Sequence, residues 1–133
     1  MALYTKSIFE YPLPEDGTRI SVMSRHTNND GITLDPRIKP GHTFTEWLPQ
    51  LSPSPRDVGA YYRKKIKLQD LLNNYSAHLK KEYIASKVRE LAERAVSEDI
   101  TILCVEENAA ECHRGVLAEE CRKYQPNLQV VHR

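Results

Sequence analysis

The sequence predicts an α/β fold, in which a small, mostly parallel sheet of about four strands is flanked by helices in three layers, Rossmann-like in the loose sense. Two observations support this class. Segments with strand character stand near both ends of the chain, and three segments with helical periodicity lie between them. The C-terminal part then has the order strand, helix, strand, which is the unit of a parallel sheet with a right-handed crossover.

Length and composition indicate one globular domain over residues 1–133. The hydrophobic fraction is 40% and the charged fraction is 28%, as in ordinary globular proteins, and the net charge of +1 does not single out a polyanionic partner. The N-terminus lacks the apolar core of a signal peptide, and no apolar stretch is long enough to cross a bilayer. We therefore expect a cytoplasmic protein without membrane contact, whose three cysteines are reduced thiols.

The first two strands are predicted at residues 3–11 and 18–25, on either side of the turn PLPEDG. We expect these two strands to be neighbours, with Arg25 at the mouth of the second. Residues 26–53 are rich in Pro, Gly, Asn and Thr. Irregular segments of this length are uncommon in compact domains and are often functional.

Three helices should follow this irregular segment. The first has strong start signals, because Ser54 can cap the helix, Pro55 suits its first position and Asp57 faces its positive end. Apolar residues then recur at helical spacing in residues 68–79 and again in residues 84–95. Each of these segments predicts a helix with one apolar face.

Reactive side chains are concentrated where the next strand, residues 100–105, meets its helix. Because alternate residues of a strand share a face, Cys104 and Glu106 should project together at the strand end. A capping pair that begins at Asn108 predicts a helix start at Ala109. The turn therefore lies at the carboxyl end of a parallel strand, where ligands gather in open α/β sheets.

Four interpretations of this turn remain open. In the first, the helix N-terminus binds an anion with Arg114 and Arg25 as donors, and Cys104 lines the site. In the second, Cys112 is a nucleophile activated by the helix end and by His113, and Glu106 positions the base.

The other two interpretations are a zinc site and a purely structural turn. The zinc site would combine Cys104, Glu106, Cys112 and His113, but this spacing is not a common zinc pattern, so no metal and no cofactor is predicted. In the structural interpretation His113 is a buried, hydrogen-bonded histidine on the core-facing stripe of its helix, on which Cys121 also lies. Cys112 and Arg114 are offset from that stripe by about 100° and should reach solvent more easily.

A second candidate surface is the stretch YYRKKIK at residues 61–67, from Tyr61 to Lys67, which interleaves aromatic and basic side chains. Stacking combined with phosphate contacts would suit a nucleic-acid strand. A solvated helix end, with lysines that complement the helix dipole, is the simpler explanation.

Motifs along nearly the whole chain resemble those of the family called domain of unknown function 488. The resemblance rests on Leu3-Tyr4-Thr5, Asp16-Gly17-Thr18-Arg19-Ile20, Trp47 with Leu51-Ser52-Pro53-Ser54, the helix around Leu71 to Tyr75, Leu103-Cys104-Val105-Glu106 and Cys112-His113-Arg114. It implies a single α/β domain and a site at the last two motifs, without an established reaction. Many members carry alanine at the position of Ser52, and longer relatives carry Gly-His-Ser where Lys6-Ser7-Ile8 stands here.

The leading hypothesis is a protein that binds a phosphate-bearing or otherwise anionic small molecule at the turn, with chemistry through Cys112 as an extension. The alternative is a non-catalytic interaction or nucleic-acid-binding module that uses residues 61–67. The sequence leaves open whether the protein is an enzyme, and it does not determine the oligomeric state.

Overall fold

The computed structural model describes residues 1–28, 30–106 and 111–133. In these residues nine regular elements follow in chain order, together with two 3-10 turns, at Pro14–Asp16 and Pro49–Leu51. The elements are β1 (Ala2–Ser7), β2 (Thr18–Ser21), β3 (Glu46–Trp47), α1 (Pro55–Tyr62), α2 (Leu68–Leu79), α3 (Glu82–Ser97), β4 (Ile100–Cys104), α4 (His113–Tyr124) and β5 (Gln129–His132).

The sheet has the order β3-β2-β4-β1-β5, and all of its strand pairs are parallel. The predicted α/β class with a mainly parallel sheet is confirmed, with five strands instead of about four. The additional strand, β3, has two residues and lies inside the segment predicted to be irregular, where it is too short to show an alternating pattern. The prediction that β1 and β2 are neighbours is wrong, because β4 lies between them and Ile100 pairs with both Leu3 and Thr18.

The direction of each connection determines which face of the sheet it covers. The connections from β3 to β4 and from β4 to β5 run one way across the sheet, and those from β1 to β2 and from β2 to β3 run the other way. Right-handed crossovers in opposite directions lie on opposite faces. Accordingly, residues of α2, α3 and α4 pack with Leu3, Ile20 and Ile102 in one apolar core, and the irregular segments cover the opposite face.

A buried ion cluster connects the opposite face of the sheet to the turn that precedes β2. The carboxylate of Asp16 has no exposed surface and lies 3.0 Å from Lys6 Nζ, 2.7 Å from an Arg19 guanidinium nitrogen and 3.4 Å from one of Arg133. Burial works to raise the pKa of Asp16, but hydrogen bonds from the Leu13 backbone N–H, Lys6 and Arg19 outweigh it and hold that pKa below its ordinary value. The turn is therefore stabilised by charge as well as by backbone hydrogen bonds.

Helices α1, α2 and α3 begin and end close to the predicted positions. Ser54 caps α1, and its hydroxyl oxygen accepts a hydrogen bond from the Asp57 backbone N–H at 3.1 Å. The apolar stripes of α2 and α3 face the core, with Tyr75 and Val88 almost fully buried. In the part of the chain that the structure describes, no helix combines the length and apolar character that crossing a membrane requires.

Candidate functional site

The candidate site lies at the carboxyl end of β4, where Cys104 is the last strand residue. Cys112 is the N-cap residue of α4, and His113 and Arg114 are its first two helical residues. The predicted capping pair at Asn108 and the predicted helix start at Ala109 fall in residues 107–110, outside the described residues. Because α4 begins at His113, three of the predicted site residues lie directly at its N-terminus.

His113 is oriented by a hydrogen bond to the sheet. Its Nε2 lies 2.7 Å from the carbonyl oxygen of Val22, and since a carbonyl only accepts, Nε2 carries the proton and Nδ1 carries the lone pair. Burial lowers the pKa of His113 to about 4; the Arg114 charge adds to this shift, and the Val22 hydrogen bond opposes it. The imidazole is therefore neutral at neutral pH, and its Nδ1 can accept a proton.

The free nitrogen of His113 faces the sulfur atom of Cys112. Cys112 Sγ lies 3.7 Å from His113 Nδ1. A thiol beside an unprotonated imidazole nitrogen is the arrangement that activates a cysteine nucleophile. The predicted role of Glu106 in positioning the base is wrong, because the Val22 carbonyl orients His113.

The structure pairs the sulfur atoms of Cys104 and Cys112 as a disulfide across the turn, and Cys121 is the free cysteine of the described residues. The expectation that all three cysteines are reduced thiols is therefore wrong for this pair. Their Cα atoms are 7.1 Å apart, just beyond the usual disulfide range of about 4.4–6.8 Å. Cys104 is 1% exposed and Cys112 is 5% exposed. The expectation that Cys112 reaches solvent easily is therefore wrong, although both cysteines line the cleft described below.

Arg114 lies beneath the turn instead of facing solvent. Its side chain has no exposed surface, and one guanidinium nitrogen donates to Cys104 Sγ at 3.2 Å and to the Glu106 carbonyl oxygen. The predicted solvent-facing orientation is wrong, because side chains in a first helical turn lean back toward the helix N-terminus and here toward the strand end. Burial lowers the pKa of Arg114, and Glu106 opposes this shift.

A cleft of about 130 Å³ opens above these residues. Its floor includes Cys104, Cys112 and His113. Around it lie charged and aromatic side chains from the same turn and from two other parts of the chain: Glu106, Glu111, Arg25, Asp30, Tyr61, Tyr62 and Arg63. The structure thus brings all six predicted site residues into one region, five of them at the cleft and Arg114 beneath it.

Tyr61, Tyr62 and Arg63 form one wall of the cleft, although the sequence predicts them as a separate surface. No spacing pattern connects these residues to the cysteines; their basic and aromatic composition was the only available signal. Burial raises the pKa of Tyr62, and the negative charge of Glu106 adds to this shift, so the two side chains interact electrostatically across the cleft. Residues 61–63 of the second candidate surface therefore line the same cleft as the cysteines.

Three side chains in the described residues have donor atoms close enough to share a metal ion. The sulfurs of Cys104 and Cys112 and a ring nitrogen of His113 all lie within 4.8 Å of one another. Glu106, which completed the zinc set considered from the sequence, is not part of this group. The Arg114 guanidinium against Cys104 opposes a dication at this position, whereas it stabilises a thiolate.

A family model named DUF488-N3a and described as the "Active DUF488-N3 subclade" matches residues 3–125. Comparisons with curated proteins and with solved structures gave no significant match. The matched region includes all of β1 except Ala2, every element from β2 to α4, and every residue of the candidate site. The chain therefore belongs to the DUF488 family.

Proposed function

We propose that the protein binds a phosphate-bearing or otherwise anionic small molecule in the cleft and acts on it through Cys112, with His113 as the base. The observation that carries this proposal is the 3.7 Å approach of Cys112 Sγ to the unprotonated Nδ1 of His113 at the floor of an open cleft. The description of the matched subclade as active supports a catalytic role.

The charges around the cleft favour a ligand with both anionic and polar groups. Arg25 and Arg63 supply positive charge and two-pronged hydrogen-bond donors for a phosphate or carboxylate. Glu106 and Glu111 also line the cleft and can accept hydrogen bonds from hydroxyl or amino groups. Together with the nearby tyrosines, this combination suits an aromatic or sugar phosphate better than a simple inorganic anion.

The proposed chemistry requires only a local proton transfer. The Cys112 thiol gives its proton to His113 Nδ1, and the Val22 carbonyl stabilises the resulting imidazolium through the Nε2 proton. Burial holds the pKa of His113 near 4, so the imidazole is unprotonated at neutral pH but is a weak base. The proton therefore moves to Nδ1 as the sulfur bonds to an electrophilic centre of the ligand and a leaving group departs from that centre, and His113 then returns the proton to the leaving group.

Alkylation rates test this proposal directly. In reduced protein at neutral pH, we expect iodoacetamide to label Cys112 faster than Cys121, because burial raises the pKa of the Cys121 thiol to about 12. His113→Gln should slow labelling of Cys112 by at least about tenfold, since it removes the proton acceptor. Peptide mass mapping over time measures each rate.

Protection from alkylation tests the ligand class. Millimolar inorganic phosphate and a nucleoside monophosphate should slow labelling of Cys112, and Arg25→Ala combined with Arg63→Ala should remove that protection. Lys87→Ala with Arg122→Ala is the matched control, because both side chains are charged, partly exposed and outside the cleft. The proposal fails if neither anion protects, or if protection is equal in the two double variants.

The alternative is a nucleic-acid strand on residues 61–67. Tyr61 and Tyr62 have ring centroids 5.5 Å apart, and the side chains of Lys64 and Lys65 are exposed beside them. If this surface binds nucleic acid, Lys64→Ala with Lys65→Ala should weaken binding and reduce the slope of log K against log salt by about 1.4–1.8. Fluorescence anisotropy with single-stranded DNA and RNA measures both quantities, and absence of salt-dependent binding by the unmodified protein excludes the alternative.

A further inference from the structure

We infer that Cys104 and Cys112 form a two-cysteine redox centre, in which Cys104 reacts with a hydroperoxide and Cys112 then closes a reversible disulfide. This inference adds a second reactive thiol and a reaction class to the cleft. It concerns the same cleft as the proposed function but does not depend on ligand binding, because the oxidant is small and uncharged.

The contact between Arg114 and Cys104 is the first observation that supports it. A guanidinium nitrogen donates to Cys104 Sγ at 3.2 Å in an interior where Arg114 has no exposed surface. A buried positive charge in hydrogen-bond contact with sulfur favours the thiolate over the thiol, and the thiolate is the form that attacks. The thiol chemistry of Cys112 does not explain why Arg114 contacts the other cysteine.

The second observation is the position of a partner thiol. Cys112 Sγ is in contact with Cys104 Sγ, although the two residues lie on different elements and are separated by 8 positions. Cys104 ends β4, which is held in the middle of the sheet, whereas Cys112 is the N-cap of α4. A disulfide between them therefore joins the end of a central strand to the helix N-terminus.

The third observation is access for an oxidant and for protons. Both cysteines line the cleft, so a molecule as small as hydrogen peroxide can reach them. His113 Nδ1 can take the proton from Cys112 when that thiol becomes the attacking group. The third cysteine, Cys121, lies in the core with its sulfur toward the Val88 carbonyl, away from this site.

The reaction balances with a hydroperoxide as the oxidant. Cys104 first ionises and releases its proton to water in the cleft. Its thiolate attacks the terminal oxygen, the O–O bond breaks, and the alkoxide or hydroxide that leaves takes up one proton from that water to become alcohol or water. Cys112 passes its proton to His113, and its sulfur attacks the sulfenic sulfur of Cys104. The S–O bond breaks, and the hydroxide that leaves takes the proton from His113 to become water. Two thiol sulfurs lose one electron each, and the peroxide gains two.

Stoichiometric oxidation of the full chain tests the inference. One equivalent of hydrogen peroxide should remove two of the three free thiols, and peptide mapping should show Cys104 joined to Cys112 and Cys121 still free. Dithiothreitol should restore both thiols. Because free cysteine is only a few per cent thiolate at neutral pH, we expect the protein to react at least about tenfold faster than free cysteine.

Two variants separate the roles of the two thiols. In Cys112→Ser, oxidation should stop at a sulfenic acid on Cys104 that dimedone traps. Arg114→Lys keeps the charge but loses the planar guanidinium, and it should slow oxidation severalfold while circular dichroism confirms folding. Cys121→Ala is the control and should leave the rate unchanged.

Three outcomes would overturn the inference. The first is that the protein reacts with peroxide no faster than free cysteine does, and the second is that the oxidised protein contains no Cys104–Cys112 bond. The third is that Arg114→Lys oxidises at an unchanged rate and dimedone traps no sulfenic acid on Cys104 in Cys112→Ser. These results are independent of the anion-protection experiment, which is done without oxidant. Either proposal can therefore fail while the other stands.

Discussion

Asp16→Asn is expected to lower the free energy of unfolding by about 3–5 kcal/mol, because it removes the carboxylate from a buried cluster and leaves Lys6 and Arg19 without their counter-charge. Both cations are at least nine-tenths buried, so water cannot replace the lost partner. Urea unfolding followed by circular dichroism measures the change. Glu119→Gln is the matched control, because this carboxylate is exposed on α4, and we expect a change within about 0.5 kcal/mol.

The Asp16 carboxylate should also make the free energy of unfolding depend on pH in the acidic range. The pKa of Asp16 in the folded protein lies below its ordinary value of 3.8, so the ion cluster contributes its full stability above that value and loses it as the pH falls through the lower folded pKa. The asparagine variant should therefore lose less stability than the unmodified protein between about pH 4 and pH 2. Equal acid dependence of the two proteins would show that Asp16 does not carry this contribution.

Arg114→Ala is expected to lower the free energy of unfolding by about 3 kcal/mol, the second largest effect. The substitution leaves a cavity under the turn and removes the donor to the Glu106 carbonyl oxygen and to Cys104 Sγ. Arg122→Ala on the same helix is the matched control, because its side chain is exposed and its ion pair with Glu119 is at the surface. Denaturant midpoints of the two variants provide the comparison.

The contacts of Arg114 should also be detectable as local changes in amide hydrogen exchange. In Arg114→Ala, amide hydrogen exchange should increase most in the first turn of α4 and at the end of β4, which the guanidinium connects. If Arg114→Ala is as stable as Arg122→Ala and its amide exchange is unchanged at these two ends, Arg114 does not hold the strand end to the helix.

Local sequence patterns were sufficient to predict the fold class and most of its elements. Apolar residues at helical spacing predicted α2 and α3, and Ser54 predicted the start of α1, because these signals depend on residues within one or two turns of each other. The clustering of Cys104, Glu106, Cys112, His113 and Arg114 in sequence likewise located the candidate site. The two-residue strand β3 was missed because a pair of residues has no period to detect.

The order of the strands and the orientation of the site residues were decided only by the tertiary structure. Strand pairing depends on the packing of the whole sheet, and β4 separates β1 from β2 although it comes more than 70 residues later in the chain. That order brings the Val22 carbonyl, 91 positions away, to the ring of His113 and so determines which nitrogen faces Cys112. It also leaves Arg114 facing the strand end and brings Tyr61 to the same cleft. Contacts between residues so far apart in the chain leave no periodic signal in the sequence, because each depends on a single pair of side chains placed by the fold.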